Sequence, residues 1–402
     1  MPKISEERLA RYSDLKREFG GEKYINLNPI QRGGILTEEA RLAIQEFGDG
    51  YSTCDWCPPK SPRLDSVERP PIAQFMQDLA DFLGMDVARV TTRCREAIFI
   101  AFATLAEPGD TVIVDSLSHY STYLAAELAR VMVREVPHGG YPEFRVDLEA
   151  YAGKIEQVKE DTGKLPAAVL LTHVDYLYGN LNDASRVGKI CRKYGIPFVL
   201  NAAYTAGVMP VDGKAMGADV LVSSGHKSWA ASAPTGIIAM VEDVADRVLA
   251  RSKYRGDWSG REFGLKEYPL LGCTVMGAPL ITLMASFPEV VRRVERWNDE
   301  VDNVRYLVRE LERIENTRQL GARPKEHTLL HVESEGFFRA SQSHKRKGYF
   351  LYDELRQRGI VGLQPGLTKH FKLNTYGLGR EKVEKVAEAF LDIAGKIGLS
   401  VS

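Results

Sequence analysis

Between residues 70 and 240, short apolar runs alternate with helical patterns, and this alternation limits the fold more than any other feature of the chain. The runs lie at 112–115, 131–136, 167–172, 197–200, 219–222 and 236–240. They are continuous rather than alternating, as strands buried on both faces read. Between them fall helical stretches such as 71–83, where Ile72, Phe75, Met76 and Leu79 share one face. Strands of this kind separated by helices predict an α/β architecture, a mostly parallel sheet covered on both sides.

The flanks read differently. Residues 1–69 form a charged helical stretch and then an extended segment broken by Gly33-Gly34, Gly48, Gly50 and Pro58-Pro59. Residues 280–315 read as one long linking helix with Pro288 as its point of interruption. Beyond it, a strand near 328–332 and helices near 349–358 and 381–397 suggest a smaller α/β unit. The expected division is an N-terminal segment 1–69, a large domain 70–285, and a linking helix with a small domain 286–402.

Charge excludes bulk polyanion binding. The 402 residues carry 53 Lys and Arg against 54 Asp and Glu, so a nucleic-acid contact must come from a local patch. The best patch is Ser343-His344-Lys345-Arg346-Lys347-Gly348-Tyr349, with Arg292, Arg293 and Arg296 on the linking helix as additions. The bland alternative is a solvated face. No apolar run approaches the ~20 residues that span a bilayer. The charged N-terminus is unlike a signal peptide, and five cysteines then argue for reduced thiols and a cytoplasmic protein.

Chemistry concentrates after the strands. Lys227, in Ser223-Ser224-Gly225-His226-Lys227-Ser228-Trp229, follows the apolar run Asp219-Val220-Leu221-Val222. A strand behind and an open loop ahead place an amine to condense with an aldehyde cofactor. A surface lysine after a strand is the alternative. The preceding run, Pro197-Phe198-Val199-Leu200, ends at Asn201. Thr91-Thr92-Arg93-Cys94-Arg95-Glu96-Ala97 opens an apolar helix, whose free N–H groups suit a phosphate. His119 follows the strand at 112–115, and His173 ends the strand at 167–172.

In order and placement, these landmarks resemble the fold-type I pyridoxal-phosphate enzymes, the aspartate-aminotransferase-like superfamily. The resemblance implies that Lys227 carries the cofactor and Asn201 faces its pyridine nitrogen. It implies that His119 stacks on the ring, and that Arg95, Glu96, Ser224, Gly225 and His226 surround the phosphate. His173 would lie near the ring edge. Most of the superfamily has aspartate where this chain has Asn201. An uncharged amide weakens the electron sink, which suits a reaction that expels a β leaving group at once.

Cys54-Asp55-Trp56-Cys57 is a CxxC in the glycine-rich N-terminal segment, and Cys273 is the other loop-like cysteine. The pair could be two small buried residues, a disulfide, a persulfide carrier or half of a metal site. Convergence of Cys54, Cys57 and Cys273 would allow a persulfide relay or an iron–sulfur cluster.

Several stretches together resemble one family, the O-phosphoseryl-tRNA:cysteinyl-tRNA synthases. They are Ile25-Asn26-Leu27-Asn28-Pro29-Ile30-Gln31-Arg32-Gly33-Gly34, the CxxC, Thr92-Arg93-Cys94-Arg95-Glu96-Ala97, Asn201-Ala202-Ala203-Tyr204 and Ser224-Gly225-His226-Lys227. The resemblance implies β-replacement of phosphate by sulfur on O-phosphoseryl-tRNA(Cys), with Lys227 as general base. Arg93, Arg95 and Arg32 become candidates for the leaving phosphate. The implied partners are a sulfur donor, O-phosphoseryl-tRNA synthetase and a second copy of the chain. The competing readings are a cysteine desulfurase, a related selenocysteine-forming enzyme, and a non-catalytic tRNA-binding scaffold.

Overall fold

The computed structural model describes residues 5–10, 23–28, 30, 32–49, 52–53, 67, 69–250, 252–262 and 275–402. Cys54, Cys57 and Cys273 lie outside the described residues.

Among the described residues, one sheet has seven strands: β1 (Val87–Thr91), β2 (Thr111–Asp115), β3 (Met132–Val136), β4 (Ala168–Thr172), β5 (Phe198–Asn201), β6 (Val220–Ser224) and β7 (Gly236–Met240). Their order is β1-β7-β6-β5-β4-β2-β3. β2 pairs in parallel with β3 and β4, β4 with β5, and β5 with β6. Only β7 runs against its neighbours, β6 and β1. The mostly parallel sheet expected from the apolar runs is present. β2, β4, β5, β6 and β7 are buried along their whole length, so no polar alternation was needed. β1 escaped the sequence reading because it is a five-residue edge strand interrupted by the part-exposed Arg89.

Side chains alternate across this sheet with period two. Val169, Leu171, Phe198, Leu200 and Leu221 enter a core shared with Ile72, Phe75 and Leu79 of α1 (Ile72–Phe82). Leu170, Val199, Val220 and Val222 enter the opposite core, against Ile98 and Phe102 of α2 (Cys94–Leu105). The parallel register sets Thr172 beside Asn201 and Asn201 beside Val222. The polar ends of β4 and β5 are thereby level, just where β6 hands over to the Lys227 turn.

The C-terminal part has an antiparallel sheet of β8 (Thr317–Leu320), β9 (Leu329–Ser334) and β10 (His370–Asn374). Its own core joins Leu307, Leu330, Phe371 and Phe390 with Leu27 from the N-terminal region. Ile25–Asn26 pairs in parallel with Ile360–Val361. The linking region corrects the sequence expectation. Pro288 lies inside a helix, Gly277–Val294, and the next helix starts at Trp297 and runs to Leu311. A proline costs a helix interior about 3 kcal/mol. Burial of Leu280 and Leu283 before it and Val290 after it outweighs that cost. Among the described residues, no helix is long and apolar enough to cross a membrane.

Candidate active site

Four elements meet at the carboxyl ends of β2, β4, β5 and β6, the side of an open α/β sheet where ligands bind. Lys227 occupies a single helical turn, Gly225–Ser228, directly after β6. Its amine lies 4.4 Å from the centre of the Tyr204 ring and has no hydrogen-bond partner among the described residues. A small pocket of about 370 Å³, open mouth included, is walled by Cys94, His119, Thr172, Tyr176, Asn201 and Lys227. The structure therefore brings together Lys227, Asn201 and His119, which are far apart in the chain.

Two of the wall residues are held by local hydrogen bonds. Asn201 ends β5 and is 5% exposed. Its Oδ1 accepts from the Ala203 N–H at 3.2 Å, an Asx-type turn that releases the chain from the strand. His119 caps the N-terminus of a helix, Tyr120–Ala129; its Nδ1 accepts from the Ser121 N–H at 3.3 Å. Burial, and then the nearby positive charges of Lys227 and Lys372, push the His119 pKa down to about 4. The imidazole is neutral above that pH. Its ring meets Tyr176 edge-on at 4.8 Å.

Asp115, fully buried at the end of β2, ties the loop that leads to His119 to the strand beside it. Its Oδ2 accepts from the Ser118 hydroxyl at 2.9 Å and from the Thr172 N–H at 2.8 Å. Burial raises this carboxyl to about 6.

The start of α2 closes another side. Arg93 is its N-cap and makes no side-chain cap. Glu96 instead reaches back to the Thr92 N–H at 2.6 Å. The N–H groups of Cys94 and Arg95 take no partner among the described residues, the open helix start that suits an anion. Gly236 presses against this turn; a methyl there would lie 2.6 Å from the Cys94 nitrogen. Arg93 is exposed and Arg95 half-buried. His226 and Ser224 flank Lys227, with His226 Nδ1 3.3 Å from the Thr235 carbonyl and 3.4 Å from the Ser224 hydroxyl.

Other expected residues lie elsewhere. The Arg32 Nε donates to the Tyr376 carbonyl at 2.8 Å, outside the pocket wall. Glu300, whose burial pushes its pKa to about 7, faces it. His173 lines a separate cavity with Asn180 and Met209, bonded to the Thr205 hydroxyl at 2.9 Å. The expectation that Arg293 adds to an exposed basic patch is corrected. Its guanidinium is buried and donates to the carbonyls of Gly207 at 2.9 Å, Gly33 at 3.0 Å and Ser228.

Sequence reading placed Cys94 in the phosphate loop and Thr172 at a strand end near the ring edge, but gave no role to Tyr176 in the pocket wall or to Lys372 behind it, whose amine reaches the Tyr176 carbonyl at 3.3 Å. Lys372 lies on β10, a strand of another sheet, and no local pattern announces it. Cys94 reads as a loop residue in sequence, although its place one residue after an arginine N-cap is a usable signal.

A model of the family described as O-phosphoseryl-tRNA(Sec) selenium transferase, SepSecS, matches residues 87–401. The chain is 54% identical to O-phospho-L-seryl-tRNA:Cys-tRNA synthase 2 of Archaeoglobus fulgidus, over 98% of this chain and 99% of that one. It is 53% identical to the O-phospho-L-seryl-tRNA:Cys-tRNA synthase of Methanopyrus kandleri, over 98% and 100%. Among solved structures, a SepCysS–SepCysE N-terminal domain complex matches with a TM-score of 0.88 and 46% identity, covering 98% of this chain and 100% of that chain. A cysteine desulfurase of Thermococcus onnurineus matches at 0.67 and 20%, covering 90% and 92%, a likeness of fold alone. The fold is that of the fold-type I pyridoxal-phosphate enzymes. The chain belongs to the SepSecS family.

Proposed function

We propose that the protein is a pyridoxal-phosphate-dependent O-phosphoseryl-tRNA:Cys-tRNA synthase, exchanging the phosphate of tRNA-bound phosphoserine for sulfur. The observation that carries this reading is the convergence of the Lys227 amine, the Asn201 amide and the His119 ring beside an open helix start. That set fits pyridoxal phosphate: an amine for an aldehyde, a neutral flat ring for a flat ring, an amide for a ring nitrogen, and free N–H groups for a phosphate. The near-full-length identity to the two synthases favours this substrate over free cysteine.

When bound, the cofactor supplies an electron sink that makes the substrate Cα–H bond acidic. The protein's own residues do the rest. Lys227 Nζ would hold the cofactor and then carry the Cα proton away. His119, kept neutral, would cover the ring face. The Cys94 and Arg95 N–H groups, with Ser224 and His226, would bind the cofactor phosphate. Arg93, exposed beside the pocket, is our candidate donor to the departing phosphate, and Lys372 is a second. Cys54, Cys57 and Cys273 are our candidates for delivering sulfur, as a persulfide relay or as ligands of a cluster. Lys345, Arg346 and Lys347, all exposed, are our candidates for the tRNA backbone. Neutralising these three should weaken tRNA binding and flatten its salt dependence, by about 0.7–0.9 in log–log slope for each phosphate that no longer meets a cation.

The deciding experiment gives the protein, pyridoxal phosphate and sulfide one of three substrates: phosphoseryl-tRNA, free phosphoserine or free cysteine. Cysteinyl-tRNA from the first alone is the expected result. Alanine and protein persulfide from free cysteine, with phosphoseryl-tRNA untouched, would make the protein a desulfurase instead.

A further inference from the structure

Asn201 can face an occupant of the pocket with its carbonyl oxygen or with its NH2, and the two have opposite consequences. The surroundings choose between them. A backbone N–H only donates, so the terminal atom 3.2 Å from the Ala203 nitrogen must be the oxygen. The Cys94 thiol lies 3.9 Å from that same oxygen. Burial pushes the Cys94 thiol up to about 12, so it keeps its proton and remains a donor. The oxygen is held from two segments 107 and two residues away. The NH2 has no partner among the described residues and is the end left for an occupant.

We propose that Cys94 and the Ala203 amide lock the Asn201 carboxamide so that it donates to a bound pyridoxal phosphate and keeps the ring nitrogen unprotonated. Cys94 is then a positioning residue acting through Asn201, not a sulfur carrier. The inference rests on the cofactor reading above and deepens it. A pyridine nitrogen that accepts a hydrogen bond from an amide has no reason to bind a proton, and an uncharged ring withdraws electrons less strongly. A substrate without a leaving group then gains little. One with a β-phosphate does not need the stronger sink. As the Cα proton passes to Lys227 Nζ, the C–H electron pair forms the Cα–Cβ double bond. The Cβ–O bond breaks, and phosphate leaves with its electron pair. The amide thus selects elimination over reactions that must store charge on the ring.

The test is 15N NMR of the holoprotein loaded with pyridoxal phosphate labelled at its ring nitrogen, with the visible absorption band recorded on the same sample. The wild type should show the shift of an unprotonated pyridine, and Asn201→Asp should move it to the pyridinium range. Cys94→Ala, losing one of two tethers, should move the signal part of the way. A pyridinium signal in the wild type overturns the donor assignment while leaving the cofactor reading intact. Identical signals from the wild type and Cys94→Ala overturn the role of Cys94. A wild type that binds no cofactor and shows no visible band removes the cofactor reading and this inference with it.

Discussion

The two sides of the Lys227 turn contrast sharply: on the pocket side the tip of the lysine is free, whereas on the far side its backbone is tightly packed. In front, the amine rests over the Tyr204 ring with no hydrogen bond among the described residues. Behind, Gly33 and Gly34 lie so close that a methyl on Gly33 would sit 2.6 Å from the Lys227 carbonyl, and one on Gly34 would overlap the His226 carbonyl. Arg293 then stitches Ser228, Gly33 and Gly207 together through their carbonyls. In the mechanism proposed above Lys227 both holds a cofactor and moves a proton, which asks for a free tip on a fixed root. The structure divides those tasks between the two sides.

The largest expected effect breaks the front alone. Lys227→Ala should abolish turnover and the visible cofactor band while costing the apo-protein no more than about 1 kcal/mol, the size of the lost contact with the Tyr204 ring. Thermal melting and spectra of the same preparation check both halves. A large loss of stability would show that the tip is not free.

Gly34→Ala should do the reverse, striking the root and leaving every reactive group in place. Overpacking a tight site costs about 1–3 kcal/mol, and here the obstacle is backbone, which cannot rotate away. Urea unfolding should register that loss, and cofactor affinity should fall with it. Unchanged stability would mean that the root can shift freely.

Arg293→Met comes next. It preserves much of the volume and the apolar stem, yet takes the donor from the Gly207 and Ser228 carbonyls, while Gly33 keeps the Ala230 N–H. A buried hydrogen bond from a charged group contributes about 1.5–3 kcal/mol; because the three bonds act as a unit and Gly33 keeps a second donor, a total near 2 kcal/mol is expected in urea unfolding. Arg293→Lys should recover less than half, since one ammonium cannot fork to three separate segments.

How much of this was legible follows the same front–back line. Asn201 and Lys227 could be read because apolar runs end on them or just before them, and strand ends are where a parallel sheet presents its chemistry. His119 could be read for the same reason after β2. The root could not. Arg293 looks like any helical arginine in an Arg-Arg pair; its partners lie 65, 86 and 260 residues away. Gly33-Gly34 reads as a turn, and nothing local says that it touches His226. Pro288 misleads because helix propensity alone leaves out the burial that overrides it. The β-strand content near 328–332 was visible, but not that Lys372 reaches across from the neighbouring strand.

The smallest effect concerns a second support behind the pocket. His327 Nε2 donates to the Tyr204 carbonyl at 3.0 Å, and its Nδ1 accepts from the Leu329 N–H at 3.1 Å. Both nitrogens are engaged by the neutral ring. Burial above all, with the positive Lys325 and neighbouring His173 adding to it, pushes the pKa down to about 3. An unfolded histidine titrates near 6.5, so between about 6.5 and 3 the unfolded chain binds the extra proton. Stability must therefore fall as the pH falls through that window. His119 and His173, both held near 4, act in the same direction. Asp115 and Glu300, raised to about 6 and 7, oppose it, because their folded forms take up protons first. The raw pH profile mixes these contributions, but a difference between variants separates them. His327→Gln should cost about 1 kcal/mol at pH 7.5 through its imperfect hydrogen bonds. Its melting temperature should then decline less steeply than that of the wild type from pH 6.5 to 4. Parallel declines would mean that His327 is not held neutral.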